Sequence, residues 1–296
     1  MAIASGTNEV TAAAARTDET RRFTCPKHGG NRTITGTGDT PPKLEAMSSA
    51  DLHFHLLFGV DDGPSDLAES LHLARAAAAE GTRTIVATPH VRFDLGTTDA
   101  VEILQRVCEL RARLAAAGPA VKVLCGGELG HDVVGSLGQY ELELLAQGPP
   151  GARWLLLEAP FEGIGADFHI AAAELRHRGF GVLIAHPERS AGAAVDAARG
   201  LRRELAAGSR TQVNAQSLTG QHGEDARVAA WRMIEDDLVD VIASDAHGPT
   251  RPPALAAARR ALLEAGVARP KADMLVLDAP WRLLSSGIRS SAALAA

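Results

Sequence analysis

The 296-residue chain has no excess of positive charge, no long apolar run and few cysteines, and each lack removes a class of function. Its formal net charge of −6 offers no basic face to nucleic acid. No segment approaches the ~18 consecutive apolar residues of a membrane span, so membrane insertion is not expected. The first residues lack the apolar stretch of a secretory signal. Cys25, Cys108 and Cys125 form no spaced framework, which fits a reducing, cytoplasmic setting. What remains, 46% apolar and 22% charged residues, is ordinary for a globular protein with one large core or two small ones.

Residues 1–47 are poor in large apolar side chains and rich in Thr, Gly, Asn, Asp and Pro, so disorder is expected there. Cys25 and His28 lack a second ligand pair and read as part of a solvated tail. Met47 lies just before the first convincing strand, and translation starting there would make the tail dispensable. Domain boundaries are accordingly expected at 1–47 for the extension and 48–296 for the folded unit.

From Asp51 onward short apolar runs alternate with longer Ala/Leu/Arg/Glu-rich segments. Strands are predicted at Asp51–Leu57, Thr84–Thr88, Val121–Gly126, Trp154–Glu158, Gly181–Ala185, Thr211–Asn214 and Val239–Ser244. Helical spacing predicts Ser65–Glu80, Ala100–Ala117, Leu137–Ala146, Ala166–Arg178, Ala193–Ala207, Arg227–Asp237 and Pro252–Ala265. Repeated βα units imply an α/β fold with a parallel sheet, and seven of them over about 250 residues favour a barrel.

Metal-capable residues sit at the ends of these strands. The first strand runs through His53 and His55, with Asp61 and Asp62 in the next loop. Later ones end in Thr-Pro-His90, Gly-Gly-Glu128, Leu-Leu-Leu-Glu158, His186-Pro-Glu-Arg189 and Ser-Asp245-Ala-His247. A barrel gathers such ends at its C-terminal face. His53 and His55 are two apart, as are Asp245 and His247, so each pair shares one face of an extended strand. Imidazole and carboxylate suit zinc, manganese or iron, and nine donors are too many for one ion. A lone His at a strand end is more often a core residue, and a lone Asp an N-cap. Glu158 after three leucines is different, because a charge beside a buried run needs a partner or a metal. Five of eleven histidines fall in these motifs. His28, His72, His131, His169, His177 and His222 read as structural or exposed, with His131 and His169 able to border the basin.

The ordered motifs His-x-His, Asp-Asp-Gly-Pro, Thr-Pro-His, Gly-Glu-Leu, Leu-Glu-x-Pro, His-x-Glu-Arg, Gln-Val-Asn and Ser-Asp-x-His resemble the PHP (polymerase and histidinol phosphatase) superfamily. Asp61-Asp62-Gly63-Pro64 and Thr211-Gln212-Val213-Asn214 resemble its bacterial capsule-type tyrosine-protein phosphatases, over roughly residues 49–285. The resemblance implies a distorted, TIM-like (β/α)7 barrel holding three divalent ions, commonly manganese, with iron or zinc as alternatives. By motif, one ion takes His53, His55, Glu128 and Asp245. A second takes Glu128, Glu158 and His186, and a third Asp62, His90 and His247. The family's phosphate-binding arginines match Arg189 and Arg251.

Such a site generates a metal-bound hydroxide for in-line attack on phosphorus, with arginine forks holding phosphoryl oxygens. The rival thiolate chemistry needs a cysteine and an arginine separated by five residues. Asn31, Leu114 and His131 stand where that arginine would be, so cysteine-based catalysis is not expected. The resemblance implies a phosphotyrosine-protein substrate, expected to be the C-terminal tail of a bacterial tyrosine autokinase in capsule or exopolysaccharide control. The alternatives are a phosphomonoesterase for histidinol phosphate or a sugar phosphate, and a non-catalytic metal-bound regulator.

Overall fold

The computed structural model describes residues 48–290, apart from 96–98, 118 and 197. The expected tail at 1–47, with Cys25 and His28, lies outside the described residues.

Among the described residues nine strands run parallel: β1 Ser49–Phe54, β2 Thr82–Ala87, β3 His90–Val91, β4 Lys122–Cys125, β5 Glu128–Leu129, β6 Trp154–Glu158, β7 Gly181–Ala185, β8 Arg210–Asn214 and β9 Val241–Ala243. They form a sheet β1-β2-β4 and a sheet β3-β5-β6-β7-β8-β9. The two short strands β3 and β5 were not expected. They extend β2 and β4 past Thr88-Pro89 and Gly126-Gly127, and at β3 the proline cannot donate to a ladder. Beyond β9 the chain returns to β1: the Asp245 amide donates to the His53 carbonyl at 2.9 Å, and the His55 amide to Ala246 at 2.9 Å.

Residues of β6 and β7 are buried throughout, the pattern of parallel strands covered on both faces. Alternate positions divide between two apolar layers. Leu155, Leu157, Val182, Ile184 and Ile242 pack outward among the helices. Trp154, Leu156, Leu183, Ala185 and Val241 pack inward with Leu52 and Val86. The period-two side-chain alternation of a strand produces this split. The helix Ala279–Ser286 and Ile288 complete the inner layer beside the strand starts, where the Trp154 indole donates to the Leu283 carbonyl at 2.8 Å. Gly181 permits the approach of Ile288, since a Cβ there would stand 2.4 Å from the Ile288 carbonyl oxygen. The inner apolar layer thus floors the site, and its inward register carries forward to residues 90, 128, 158 and 245.

Helices follow the expected segments with one clear shortfall. Instead of Ala193–Ala207, only Leu201–Ala206 is helical. Gly200, inside that segment, adopts φ of 73°, a left-handed position that interrupts a right-handed helix. The Pro252 helix starts only at Leu255, and Arg269–Ser286 adds helical turns that the periodicity did not suggest.

Candidate metal centre

Four acceptor atoms from three parts of the chain converge at one point. His53 Nε2 and His55 Nε2 are 3.2 Å apart. Glu128 Oε2 lies 3.2 Å from each of them. Asp245 Oδ1 lies 3.3 Å from the first and 3.4 Å from the second. The far nitrogens fix what the near ones present. His53 Nδ1 faces the Gln212 side-chain oxygen at 3.0 Å, and His55 Nδ1 faces Asp61 Oδ2 at 2.6 Å. Both partners are acceptors, so each Nδ1 carries a proton and each Nε2 is left to present a lone pair to a cation. Without protons or a cation between them, two such lone pairs and two carboxylate oxygens that close repel one another.

Further donor atoms extend the centre on two sides. Glu128 Oε1 meets His186 Nε2 at 2.8 Å. His90 Nδ1 lies 3.0 Å from Glu128 Oε2 and 3.8 Å from Glu158 Oε2, while its Nε2 lies 3.6 Å from Asp62 Oδ1. His247 Nε2 is 3.2 Å from the same Asp62 oxygen. Four sets have donor atoms within 4.8 Å of one another: His55-Asp62-His90-His247, His53-Glu128-His186, His53-His55-Asp245 and His90-Glu128-Glu158. All nine residues singled out in the sequence are therefore brought together. The sets regroup the motif-based partition: His55 stands also with Asp62 and His247, His90 with Glu128 and Glu158, and His53 with His186, which shares no set with Glu158.

The donor set suits divalent cations on a second ground. Glu128 Oε2, His90 Nδ1 and His247 Nε2 are buried with close approaches to other donor atoms but no well-formed hydrogen bond, a costly state in a low-dielectric interior. The electrostatics agree. Burial alone pushes the Glu128 carboxyl up, yet the charges of His53 and His90 and hydrogen bonds from His186 and His53 hold it well below the usual range. Asp245 is likewise buried and held low by His53, His55 and Arg251. Burial lowers the His186 imidazole to about 4, keeping it neutral as a ligand must be. Glu158 is pushed up to about 7 by burial and the Glu128 charge. A field that so strongly favours positive charge attracts a metal ion as readily as protons.

Around this centre lies a set of orienting residues that motif reading missed or left without a role. Asp61 accepts from the His90 amide at 2.9 Å and the Gly63 amide at 3.0 Å as well as holding His55, so its neighbour Asp62 is the one that faces the donors. Asn214 donates to Asp245 Oδ2 at 2.6 Å and accepts from Gln212 at 2.8 Å. Glu188 accepts from the Asn214 amide at 2.9 Å and the Ser217 hydroxyl at 2.7 Å. Arg92 donates to Glu158 Oε2 at 2.8 Å. The i, i+2 spacing of Gln212 and Asn214 was the available signal, because it puts both on the inward face of β8.

The two arginines expected to hold phosphate both reach the rim of the centre. Arg189 Nη1 lies 3.3 Å from Asp245 Oδ2, and its guanidinium stands 5.0 Å over the Phe161 ring. Arg251 donates to the same oxygen at 2.5 Å, and its Nη1 is 3.9 Å from Asp62. His247 and Gly248 amides donate to the Arg251 carbonyl at 2.9 and 3.3 Å, a tight turn that brings Arg251 back to the site. Among the remaining histidines, His169 pairs instead with Glu204 at 2.7 Å, and His222 Nδ1 contacts Ser217 at 3.0 Å. Cys125, the last residue of β4, packs partly buried against the outer apolar layer, and burial pushes its thiol up to about 12, the opposite of an activated nucleophile.

Known proteins are similar to this chain over most of its described length. The chain is 29% identical over 197 residues to the tyrosine-protein phosphatase YwqE of Bacillus subtilis, covering 67% of this chain and 76% of that protein. It is 31% identical over 205 residues to the putative tyrosine-protein phosphatase CapC of Staphylococcus aureus, covering 69% and 78%. Among solved structures it resembles those of YwqE from Bacillus subtilis and CpsB from Streptococcus pneumoniae, described as unique metal-dependent tyrosine phosphatases. That match has a TM-score of 0.69 and 26% identity, covering 81% of this chain and 96% of that one. A β-aspartyl dipeptidase of Fervidobacterium islandicum shares the fold alone, at TM-score 0.51 and 15% identity, covering 80% of this chain and 72% of that one. Residues 49–285 match the model of the family described as capsular polysaccharide synthesis, CpsB/CapC, and the chain belongs to that family.

Proposed function

We propose that this protein is a metal-dependent protein-tyrosine phosphatase working in the cytoplasm, with a bacterial tyrosine autokinase tail as its substrate in capsule or exopolysaccharide control. The observation that carries the reading is the convergence of His53, His55, Glu128 and Asp245 on one point, with two arginines at its rim. His53, His55, Glu128 and Asp245 would hold one ion, Glu128, Glu158 and His186 a second, and Asp62, His90 and His247 a third. Manganese suits this mixed imidazole–carboxylate set, as do iron and zinc. When bound, the ions supply Lewis-acid activation of a water nucleophile and positive charge facing the phosphoryl oxygens.

The chain's own groups do the rest. Gln212 and Asp61 fix the tautomers of His53 and His55, and Asn214 fixes the rotamer of Asp245. Arg189 and Arg251 give up part of their hold on Asp245 Oδ2 to fork onto phosphate, which lysine could not do in two directions at once. A phenolate leaves with little help from a general acid, which favours phosphotyrosine over an alkyl ester. The catalytic unit is residues 48–296, and residues 1–47 are dispensable to it.

Phosphate release from phosphotyrosine peptides, phosphoserine peptides and histidinol phosphate tests this, with manganese and after chelation. Metal-dependent turnover of phosphotyrosine is expected, in full-length protein and in protein truncated at Met47. Histidinol phosphate preferred by orders of magnitude would overturn the substrate assignment, and no turnover with metal demonstrably bound would point to a regulator.

A further inference from the structure

The geometry points to Phe161 as the residue that selects an aryl over an alkyl phosphate, by packing against the ring of the substrate. This rests on the phosphatase reading above. Phe161 follows Glu158 by three residues, beyond the inward end of β6, and remains 48% exposed, so its ring is accessible to a ligand. It is held in place on both sides. Its carbonyl accepts from the Ala191 amide at 2.6 Å, and the Arg189 guanidinium lies over its ring at 5.0 Å.

Arg189 therefore links two surfaces. One of its nitrogens reaches Asp245 at 3.3 Å, and its plane rests on Phe161. A phosphate accepting from Arg189 at the usual distance of about 2.9 Å stands near that ring, within reach of an aryl ester group turned toward Phe161. Aromatic pairs are favourable with centroids about 4.5–7 Å apart in offset or edge-to-face arrangement. A phenyl ester meets that condition, whereas a seryl or sugar ester brings only a methylene and hydroxyls. A separate cleft of about 450 Å³, lined by Glu162, Pro187, Ser190 and Asp196, starts at the residue after Phe161.

The test compares wild-type protein with Phe161→Ala and Phe161→Trp, each loaded with manganese, on a phosphotyrosine peptide and on a phosphoserine peptide of the same sequence. An aromatic contact of this kind corresponds to a rise in KM for phosphotyrosine of about three- to tenfold in Phe161→Ala, with kcat near wild type. KM for phosphoserine should stay constant, and Phe161→Trp should restore the aryl preference. Because loss of the ring also frees Arg189, an equal rise in both KM values would reduce Phe161 to a support for Arg189 and overturn the inference. Unchanged KM values for both would overturn it too. A binding measurement covers a variant that turns over poorly: phenylphosphonate should lose affinity in Phe161→Ala and inorganic phosphate should not. Wild-type protein inert toward every aryl phosphate would instead defeat the phosphatase reading, and this inference with it.

Discussion

His186 and Asp245 both leave their strands through left-handed backbone, with φ of 34° and 53°, and both turn a side chain into the same centre. A non-glycine residue in that conformation costs roughly 1–2 kcal/mol. For His186 the reason is visible. Leu183 and Ala185 point inward, so the residue after Ala185 would point outward on a regular strand. The left-handed turn swings it back to meet Glu128. Strain of this kind persists where function requires it. Asp245→Asn keeps a side chain tolerant of the left-handed region and removes one buried carboxylate from a crowded set. Its melting temperature in chelator should fall below wild type, because Asn214, Arg189 and Arg251 lose their charged acceptor, and the rise on adding manganese should shrink. Turnover should fall more than about 100-fold, since orienting partners alone are worth about 10–100-fold. His186→Ala should abolish turnover, and substantial activity in it would remove His186 from the ligand set.

The hydrogen bond from Asn214 to Asp245 at 2.6 Å leads to a graded expectation. Asn214→Ala leaves the donor atoms present but lets Asp245 rotate, so manganese affinity should drop about 10–100-fold with most of kcat recovered at saturating metal. Asn214→Asp places a carboxylate against a carboxylate and should be worse than alanine. Gln212→Ala should act through His53 to a similar extent. Titration of activity against manganese concentration reads all three, and a kcat loss that metal cannot rescue would mean Asn214 acts on substrate instead.

Much of this site was readable from strand-end residues because inward register is regular. His90, Glu128, Glu158 and Asp245 continue the alternation set by Val86, Leu124, Leu156 and Val241. His186 breaks that alternation, and only the motif His-x-Glu-Arg marked it. The orienting groups were harder. Asn214 and Gln212 appeared as a family phrase without a role, and Arg92 carries no spacing signal, since its partner Glu158 is 66 positions away. The shortened helix at Leu201–Ala206 was misread because Ala-rich segments satisfy helical periodicity whether or not flanking glycines permit the turn.

Cys125 gives a check on the exclusion of thiolate chemistry. Burial raises its thiol from 9.0 to about 12, with Arg111 opposing that shift only in part. A raised value means less thiolate at any given pH, so alkylation of Cys125 by iodoacetamide at pH 8.5 should be far slower in the folded protein than in urea. Peptide mapping by mass spectrometry reads this position alone. Cys125→Ser should retain full phosphatase activity, and a large loss of kcat in it would reopen the covalent route.

A second buried ionic cluster lies apart from the metal centre and should affect stability without affecting chemistry. Glu204, with no exposure, accepts from Arg176 at 2.6 Å and Ser209 at 3.2 Å, and meets His169 at 2.7 Å. These contacts tie the helix Ala166–His177 to Leu201–Ala206, the short helix left by the glycine break. Removing Glu204 leaves the Arg176 guanidinium charged and largely buried without its carboxylate, which typically costs about 3–5 kcal/mol. Glu204→Ala should therefore lower the melting temperature by on the order of 10 °C for a domain of this size. Replacing the group together, Glu204→Leu with Arg176→Met, should recover most of that loss, because no unpaired charge remains. Both variants should keep the wild-type kcat and manganese dependence wherever they are folded. If Glu204→Ala instead weakened manganese binding at a temperature well below its melting point, this cluster would have to be counted as part of the site.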